Sequence, residues 1–541
     1  MRFVFLSVVL AALTASAEVK LGSPFSDGAV LQRERPVPVW GWATPGEKVT
    51  VSFAGQVKTA VVSSDGKWTV ILDPMPASFE SRTLTVTSQT SQTSQTSQTS
   101  QTSQTSQTSQ TSQTSQTSQT SQTSQTSQTS QTFLSDILVG EVWFASGQSN
   151  MECPIKGPSP RFRDGQGRLA IAMTHEPNVR FFKVKKGWEV APLETTPYGW
   201  YRFTAEDFAK INDRPSLSAV AFYFALEVFH GAKVPVGIIE ASVGGTNIDA
   251  WTPRRGLLTR PDLRDVADYP VRKDWKGARD AVGAISGSDQ QPTVLWNAMV
   301  APFVPYAIRG LIWYQGCHNA DEPQRYCSKM HALYNGWAKE FRNPDLALYF
   351  VELAPYKISW FDIQQAQHRF AAEEKNAAIA ISCDVGNPND VHHNEKRTVA
   401  RRLAAHALKR LYGFSDIEDE SPRPKAATAK GGTVTLTFDH AKKLYFYNIS
   451  RTRPDGFELA GADGVWHPAE VTNAESGKTS TGGTYYPGLL LRGANYLTLA
   501  SAAVPQPVKL RYLHEAPWTG CLYNEVDLPL GSFQMDVMGS R

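Results

Sequence analysis

Charge is scarce in this 541-residue sequence: Asp, Glu, Lys and Arg together make up 19%. Sign bias is nearly absent too, with a formal net charge of +3. A chain this close to neutral lacks the basic footprint of a nucleic-acid binder. Cysteine is limited to five residues, with no C-x-x-C pair. That density excludes a disulfide scaffold, and the spacing excludes a zinc ribbon or a thioredoxin-type motif. The odd count leaves at least one thiol unpaired, while Cys317 and Cys327 are candidates to bridge. No apolar run approaches the roughly 20 residues of a membrane span. No H-E-x-x-H helix exists either. His318, His392, His393 and Asp390 are zinc-competent types, but adjacent histidines rarely face one ion, so no metal site is expected.

Part of the charge deficit has a local cause. Residues 88–132 are fifteen consecutive Ser-Gln-Thr triplets, without a charge or an apolar side chain. Such a segment has nothing to bury, so a solvated loop is expected over its whole length. The N-terminus has a different peculiarity. Met1-Arg2, an apolar run from Phe3 to Leu13 and Ala15-Ser16-Ala17 read as a secretory signal peptide over residues 1–17. The expected location is secreted or periplasmic.

The remaining chain divides into three. Residues 18–135, which include the triplet array, alternate short β-branched runs with turn signals such as Ser64-Asp65-Gly66, the pattern of a small β-sandwich. Residues 136–425 alternate strands (137–144, 234–239, 311–314, 346–353 and 377–382) with helices (216–229, 324–341, 361–374 and 395–411). In the last helix Asn394 is the expected N-cap and Val399, Leu403, Ala407 and Leu411 form the apolar face. Alternation of this kind predicts an α/β fold with a mainly parallel sheet. Residues 426–541 return to a strand pattern and are read as a second β domain.

Ligands of an open parallel sheet bind beyond the carboxyl ends of its strands. That rule selects Ala145 to Met151, Ser242 to Thr246, Gln315 to Asn319, and Asp384 to His393. Ser149, the Gly244-Gly245 pair, the amides of Gln315 and Asn319, and the acid-histidine run are together the inventory of a serine hydrolase. Each also has a plainer reading: a loop serine, a tight turn, surface amides, a histidine at a helix start. Joint placement at strand ends favours chemistry. The Arg- and Asp-rich stretch 254–291 is read as a solvated excursion.

At these residues a family likeness emerges. Gly140-Glu141-Val142-Trp143 followed by Ser146-Gly147-Gln148-Ser149-Asn150-Met151 resembles the first block of the sialate O-acetylesterase family, within the SGNH/GDSL-type hydrolases. Gly244-Gly245-Thr246 leading to Ala250-Trp251-Thr252-Pro253, Trp313-Tyr314-Gln315-Gly316, and Asp390-Val391-His392 ahead of Arg401-Arg402-Leu403-Ala404 extend it. The resemblance implies a three-layer α/β/α SGNH domain flanked by β-sandwich-like domains. It implies removal of acetyl groups from sugar hydroxyls, on sialic acid or a plant polysaccharide such as xylan. Ser149 would be the nucleophile and His392 the base. The Ser149 N–H, a Gly244 or Gly245 N–H and an amide of Gln315 or Asn319 would hold the oxyanion, with Gln148, Asn150, Trp251 and His318 facing substrate. No cofactor is implied, and the expected partner is the acetylated carbohydrate, not nucleic acid or a membrane. Three positions depart from the family pattern. Asn389 stands where the superfamily often has Asp, leaving Asp390 and Asp384 as candidates to orient the histidine. Cys317-His318 replaces Glu-Ser, and His393 replaces the usual Pro. A non-catalytic sugar-binding protein and an acetyltransferase are the rival readings.

Overall fold

The computed structural model describes residues 18–89, 129–159, 162–210, 217–274, 288–447, 456–473, 475–478, 484–491, 495–515 and 521–539. The expected signal peptide, the interior of the triplet array (90–128) and residues 275–287 of the Arg- and Asp-rich stretch lie outside the described residues. Chain contacts divide the molecule into two units: one of residues 1–22, 38–72 and 83–134, the other of residues 23–37, 73–82 and 135–541.

The smaller unit is built of strands with period-two burial. In Lys67–Leu72, Trp68, Val70 and Leu72 are buried between exposed neighbours, and Val49, Val51 and Phe53 do the same in Lys48–Phe53. Lys48–Phe53 pairs antiparallel with Gln56–Val61 and with the strand Ser78–Gln89. The array does not loop out over its whole length. Its first two residues end Ser78–Gln89, and its last four open the strand Thr129–Gly147. Ser88 is buried and its hydroxyl bonds the Glu47 carboxylate. Ser130 Oγ accepts from Val19 N at 3.1 Å, and Thr132 Oγ1 donates to Val19 O at 3.1 Å. Thr and Ser side chains fit a pleated, half-polar surface, so the ends extend a ladder that the flanking residues begin.

The larger unit is mixed α/β. Its strands are labelled β1 (Val30–Gln32), β2 (Thr129–Gly147), β3 (Glu176–Lys183), β4 (Trp200–Phe203), β5 (Val236–Ser242), β6 (Gly310–Tyr314), β7 (Ala347–Val351) and β8 (Ala377–Ala380). The order is β4-β3-β5-β2-β6-β7-β8; β4 is antiparallel to β3, and the other pairs on this path are parallel. β1 adds to β2 in parallel. Helices follow the strands: α1 (Ser149–Glu152), α2 (Ala219–Ala232), α3 (Pro323–Glu340), α4 (Phe361–Glu373) and α5 (Arg397–Tyr412). The centre is aromatic: Phe144 meets Trp337 edge-on at 5.1 Å and Trp143 meets Phe224 at 5.0 Å. The last helix begins at Arg397 with Lys396 at its cap position, not with Asn394; Val399, Leu403 and Ala407 are buried as expected, whereas Leu411 is only half-buried.

β3 and β4 were absent from the sequence expectation. β3 has buried charges, Arg180 and Lys183, that disguise it. Lys183 lies in register with Glu240 of β5 and their side chains pair. Among the described residues from Arg423 onward there are three smaller sheets, one of them joining Arg423–Lys430, Thr433–Asp439 and Tyr496–Ala500 around Val434, Leu436, Phe438, Leu497 and Leu499. All five cysteines are free thiols, Cys317 and Cys327 included; Cys383 and Cys521 bring their sulfurs to 3.0 Å. Among the described residues no helix is long and apolar enough to cross a membrane.

Candidate active site

The carboxyl ends of β2, β5, β6 and β8 deliver the four selected segments. Ser149 opens α1 two residues after β2 ends. Gly147, at φ +141°, permits the turn: a Cβ there would sit 2.3 Å from Tyr314 O. The Gln148 carbonyl accepts from Met151 N and Glu152 N, both at 2.9 Å, which winds α1 tightly. Gly244, after β5, lies against the serine, so that a Cβ on it would be 3.2 Å from Ser149 Cβ.

The loop that carries His392 follows β8 and is tied to the serine turn. Asn150, next to Ser149, donates from Nδ2 to Val391 O at 3.0 Å, tying the serine's neighbour to the histidine's neighbour. The His392 ring is half-buried and edge-on to Phe162 at 4.9 Å. Asp390 Oδ1 accepts the His392 backbone N–H at 2.9 Å and lies 3.7 Å from Nδ1. Burial, and next the Lys396 ammonium, lower the proton affinity of His392 below the ordinary value of 6.5, against smaller opposing effects of Asp390 and Glu152. His393 faces the other way. It is buried, with Nε2 2.9 Å from the Tyr314 hydroxyl, and burial pushes it well below the usual range.

Several expected roles need correction. Asp384 is not free to orient a histidine: both of its oxygens take Arg402 N–H groups at 2.7 Å. Gln315 is fully buried and its two amide hydrogens are spent on Thr246 O (3.1 Å) and Asn319 Oδ1 (2.7 Å). Asn319, equally buried, donates to Glu322 at 2.6 Å. These amides therefore brace the loops and do not face an oxyanion. Trp251 has no exposed surface and gives its Nε1–H to Thr246 Oγ1 at 3.0 Å, so it supports the glycine loop from beneath and touches no substrate. Gln148 and Asn150 are also buried; Gln148 Oε1 receives Gly316 N (3.1 Å) and His318 N (3.4 Å). His318 is the one expected substrate contact that keeps partial exposure. The Gly244 N–H is engaged by Glu152 Oε2 at 2.6 Å, and Glu152 pairs with Lys186.

Two residues escaped the sequence reading: Glu152 and the buried Lys396. For Lys396 the available signal was a cation in the expected first turn after Asn394, where the helix dipole opposes it. Among the described residues, the group with metal-ligand geometry is Cys327, His331 and Glu373, on α3 and α4, with ligand atoms within 4.8 Å of one another. It shares no residue with the four loops, and Arg369 approaches Glu373 to 3.9 Å.

A serine-bearing turn after β2, a glycine pair against it and a histidine loop tied to it set the frame for comparison with known proteins. The model of the sialic acid-specific acetylesterase family of carbohydrate esterases matches residues 139–409, half of the sequence. The chain belongs to this family. It is accordingly a hydrolase acting on esters, of the carbohydrate O-acetylesterase class. The matched span includes every segment described above. The esterase is 25% identical to the sialate O-acetylesterase of Mus musculus over 483 residues, which cover 80% of this chain and 81% of that protein. The Homo sapiens sialate O-acetylesterase is 25% identical over 459 residues, 79% and 77% of the two chains. The crystal structure of a carbohydrate acetylesterase from Xanthomonas citri superposes with a TM-score of 0.72 at 28% identity, covering 96% of this chain and 99% of that one.

Proposed function

We propose that the esterase removes O-acetyl groups from sugars through a serine acyl-enzyme. Ser149 Oγ attacks the acetyl carbonyl while His392, kept neutral by its lowered proton affinity, takes the hydroxyl proton. Asp390 orients the imidazole. The oxyanion is held by the backbone N–H groups of Ser149 and Gly245, since Gly244 N–H is already engaged. His392 then returns the proton to the departing sugar oxygen. Water, deprotonated by the same ring, releases acetate. Two supports for the wider picture are the strand order and the signal-like leader. They suit an SGNH-type three-layer domain over residues 136–425, β domains over 18–135 and 426–541, and export from the cytoplasm. The substrate class is an acetylated carbohydrate, either sialic acid or a polysaccharide such as xylan.

The observation that carries this reading is the Asn150–Val391 bond, which joins the serine turn to the histidine loop. The test is acetate release from O-acetylated sialic acid and from acetylated xylan oligomers. Ser149→Ala is expected to lose activity by at least about 10⁴-fold on whichever substrate is turned over. A folded Ser149→Ala protein with wild-type turnover overturns the mechanism.

A further inference from the structure

Lys396 is fully buried, yet among the described residues no carboxylate oxygen lies within 4 Å of its ammonium. It sits at the N-terminal end of α5, where the helix dipole opposes a cation. Burying an unpaired charge is costly, and sites that retain one are enriched in function. Two contacts of its ammonium stand out among the described residues. It donates to Asn150 Oδ1 at 2.6 Å, and it stands 5.7 Å from the centre of the Tyr314 ring. Tyr314 is itself the last residue of β6 and bonds His393.

The chemistry of these partners settles how Asn150 is oriented. An ammonium has only donors, so it must face the amide oxygen. The amide nitrogen is then turned to Val391 O, which only accepts, at 3.0 Å. Were the amide reversed, its oxygen would oppose the Val391 carbonyl and its NH₂ would oppose the ammonium. One lysine therefore selects the single amide orientation that ties Ser149's neighbour to His392's neighbour.

We propose that Lys396 is a positioning residue for ester hydrolysis: through Asn150 it holds the serine turn to the histidine loop. The inference rests on the Ser149–His392 reading above. Lys396 touches neither substrate nor the reacting atoms. Other groups around it are Cys153, Asp164, Cys317 and Asp390, and burial lowers its proton affinity to about 8.

Lys396→Met keeps the stem and removes the charge. Replacement of a buried charge by an apolar chain of similar volume is often neutral or stabilising. The expected outcome is an unchanged or raised melting temperature with kcat on an acetate ester down by about 10²-fold, the scale of a misplaced catalytic group, and KM little changed. Removal of the cation should also move the acid limb of kcat/KM to higher pH, since Lys396 lowers the His392 proton affinity. Lys396→Met combined with Asn150→Ala should lose no more than Asn150→Ala alone, because both act through one link. Asn150→Asp is a second route, which leaves Lys396 in place. It keeps an acceptor for the ammonium but has no N–H for Val391 O, so kcat should fall while the fold holds. Wild-type kcat in folded Lys396→Met or Asn150→Asp, or losses that multiply in the double variant, overturns the proposal. Ser149→Ala separates the two claims. Full activity there overturns the serine reading itself, whereas inactive Ser149→Ala beside fully active Lys396→Met overturns only the role of the lysine.

Discussion

In the proposed mechanism His392 acts as a base only when neutral, so its lowered proton affinity has a direct kinetic sign. The neutral form persists to more acid pH than for a free imidazole, and kcat/KM should rise through a midpoint below 6.5 and level off above it. The two candidate acids separate on the same measurement. Asp390 faces the ring and raises its proton affinity. Asp390→Asn should therefore move the limb further toward acid and lower kcat. Asp384→Ala should leave the limb in place and instead strand the buried Arg402 guanidinium, at a cost of roughly 3–5 kcal/mol, seen as a lower melting temperature. A shifted limb in Asp384→Ala with unchanged stability would reverse the assignment. Both Asp384 and Asp390 are candidates from the sequence; the arginine on α5 that holds Asp384 and the approach of Asp390 to the His392 ring distinguish them.

Between strands and helices, the sheet edge is closed by a ladder of side chains. β8 ends the sheet, and its outward carbonyls are met from α5: Arg402 donates to Ile381 O (2.8 Å), His406 Nε2 to Ile379 O (3.2 Å) and Arg410 to Ala377 O (3.0 Å). Four helical residues rise about 6 Å and two strand residues about 6.6 Å, so every fourth side chain meets every second carbonyl. Asp419 anchors the ladder through His406 Nδ1 (2.9 Å) and Arg410 Nε (2.7 Å); these bonds outweigh burial and hold its carboxyl below the usual range. Covering edge carbonyls with side chains is one way a sheet edge is kept from pairing with another chain. His406→Leu should uncover the Ile379 carbonyl and one Asp419 contact and cost about 1–3 kcal/mol in denaturant unfolding. Undiminished stability would show the ladder to be incidental. The helix and its apolar stripe are legible in the sequence, because period 3.6 is a local property. The polar stripe beside it looks like a solvated face until the strand it covers is known.

For the molecule as a whole, the triplet array tests how much polar sequence an esterase can carry. Its ends are strand, with Ser88 on Glu47 and Ser130 and Thr132 on Val19. Ser78–Gln89 and Thr129–Gly147 pair with each other, so both flanking strands remain in a chain lacking residues 90–128. That deletion should leave acetate release within about twofold of wild type, because loop length changes closure entropy only slowly. Deletion of all of 88–132 removes the three contacts as well and should lower the melting temperature. Equal stability of the two deletions would show that the array's ends contribute nothing.

Local order determined most of what the sequence could say. Apolar periodicity located five strands of the sheet and its four longer helices, and the strand-end rule brought out four loops that follow β2, β5, β6 and β8. Those signals are short-range: a pleat, a helical turn, a glycine forced by its neighbour's backbone. Tertiary structure decided the rest through charge and burial. It turned β3 into a buried strand by pairing Lys183 with Glu240, took Asp384 away from the histidine with Arg402, and sank Gln315, Asn319 and Trp251 beneath the loops they were expected to arm. A polar side chain advertises its chemistry in the sequence, but its role depends on which partner reaches it, and those partners lie up to hundreds of residues away.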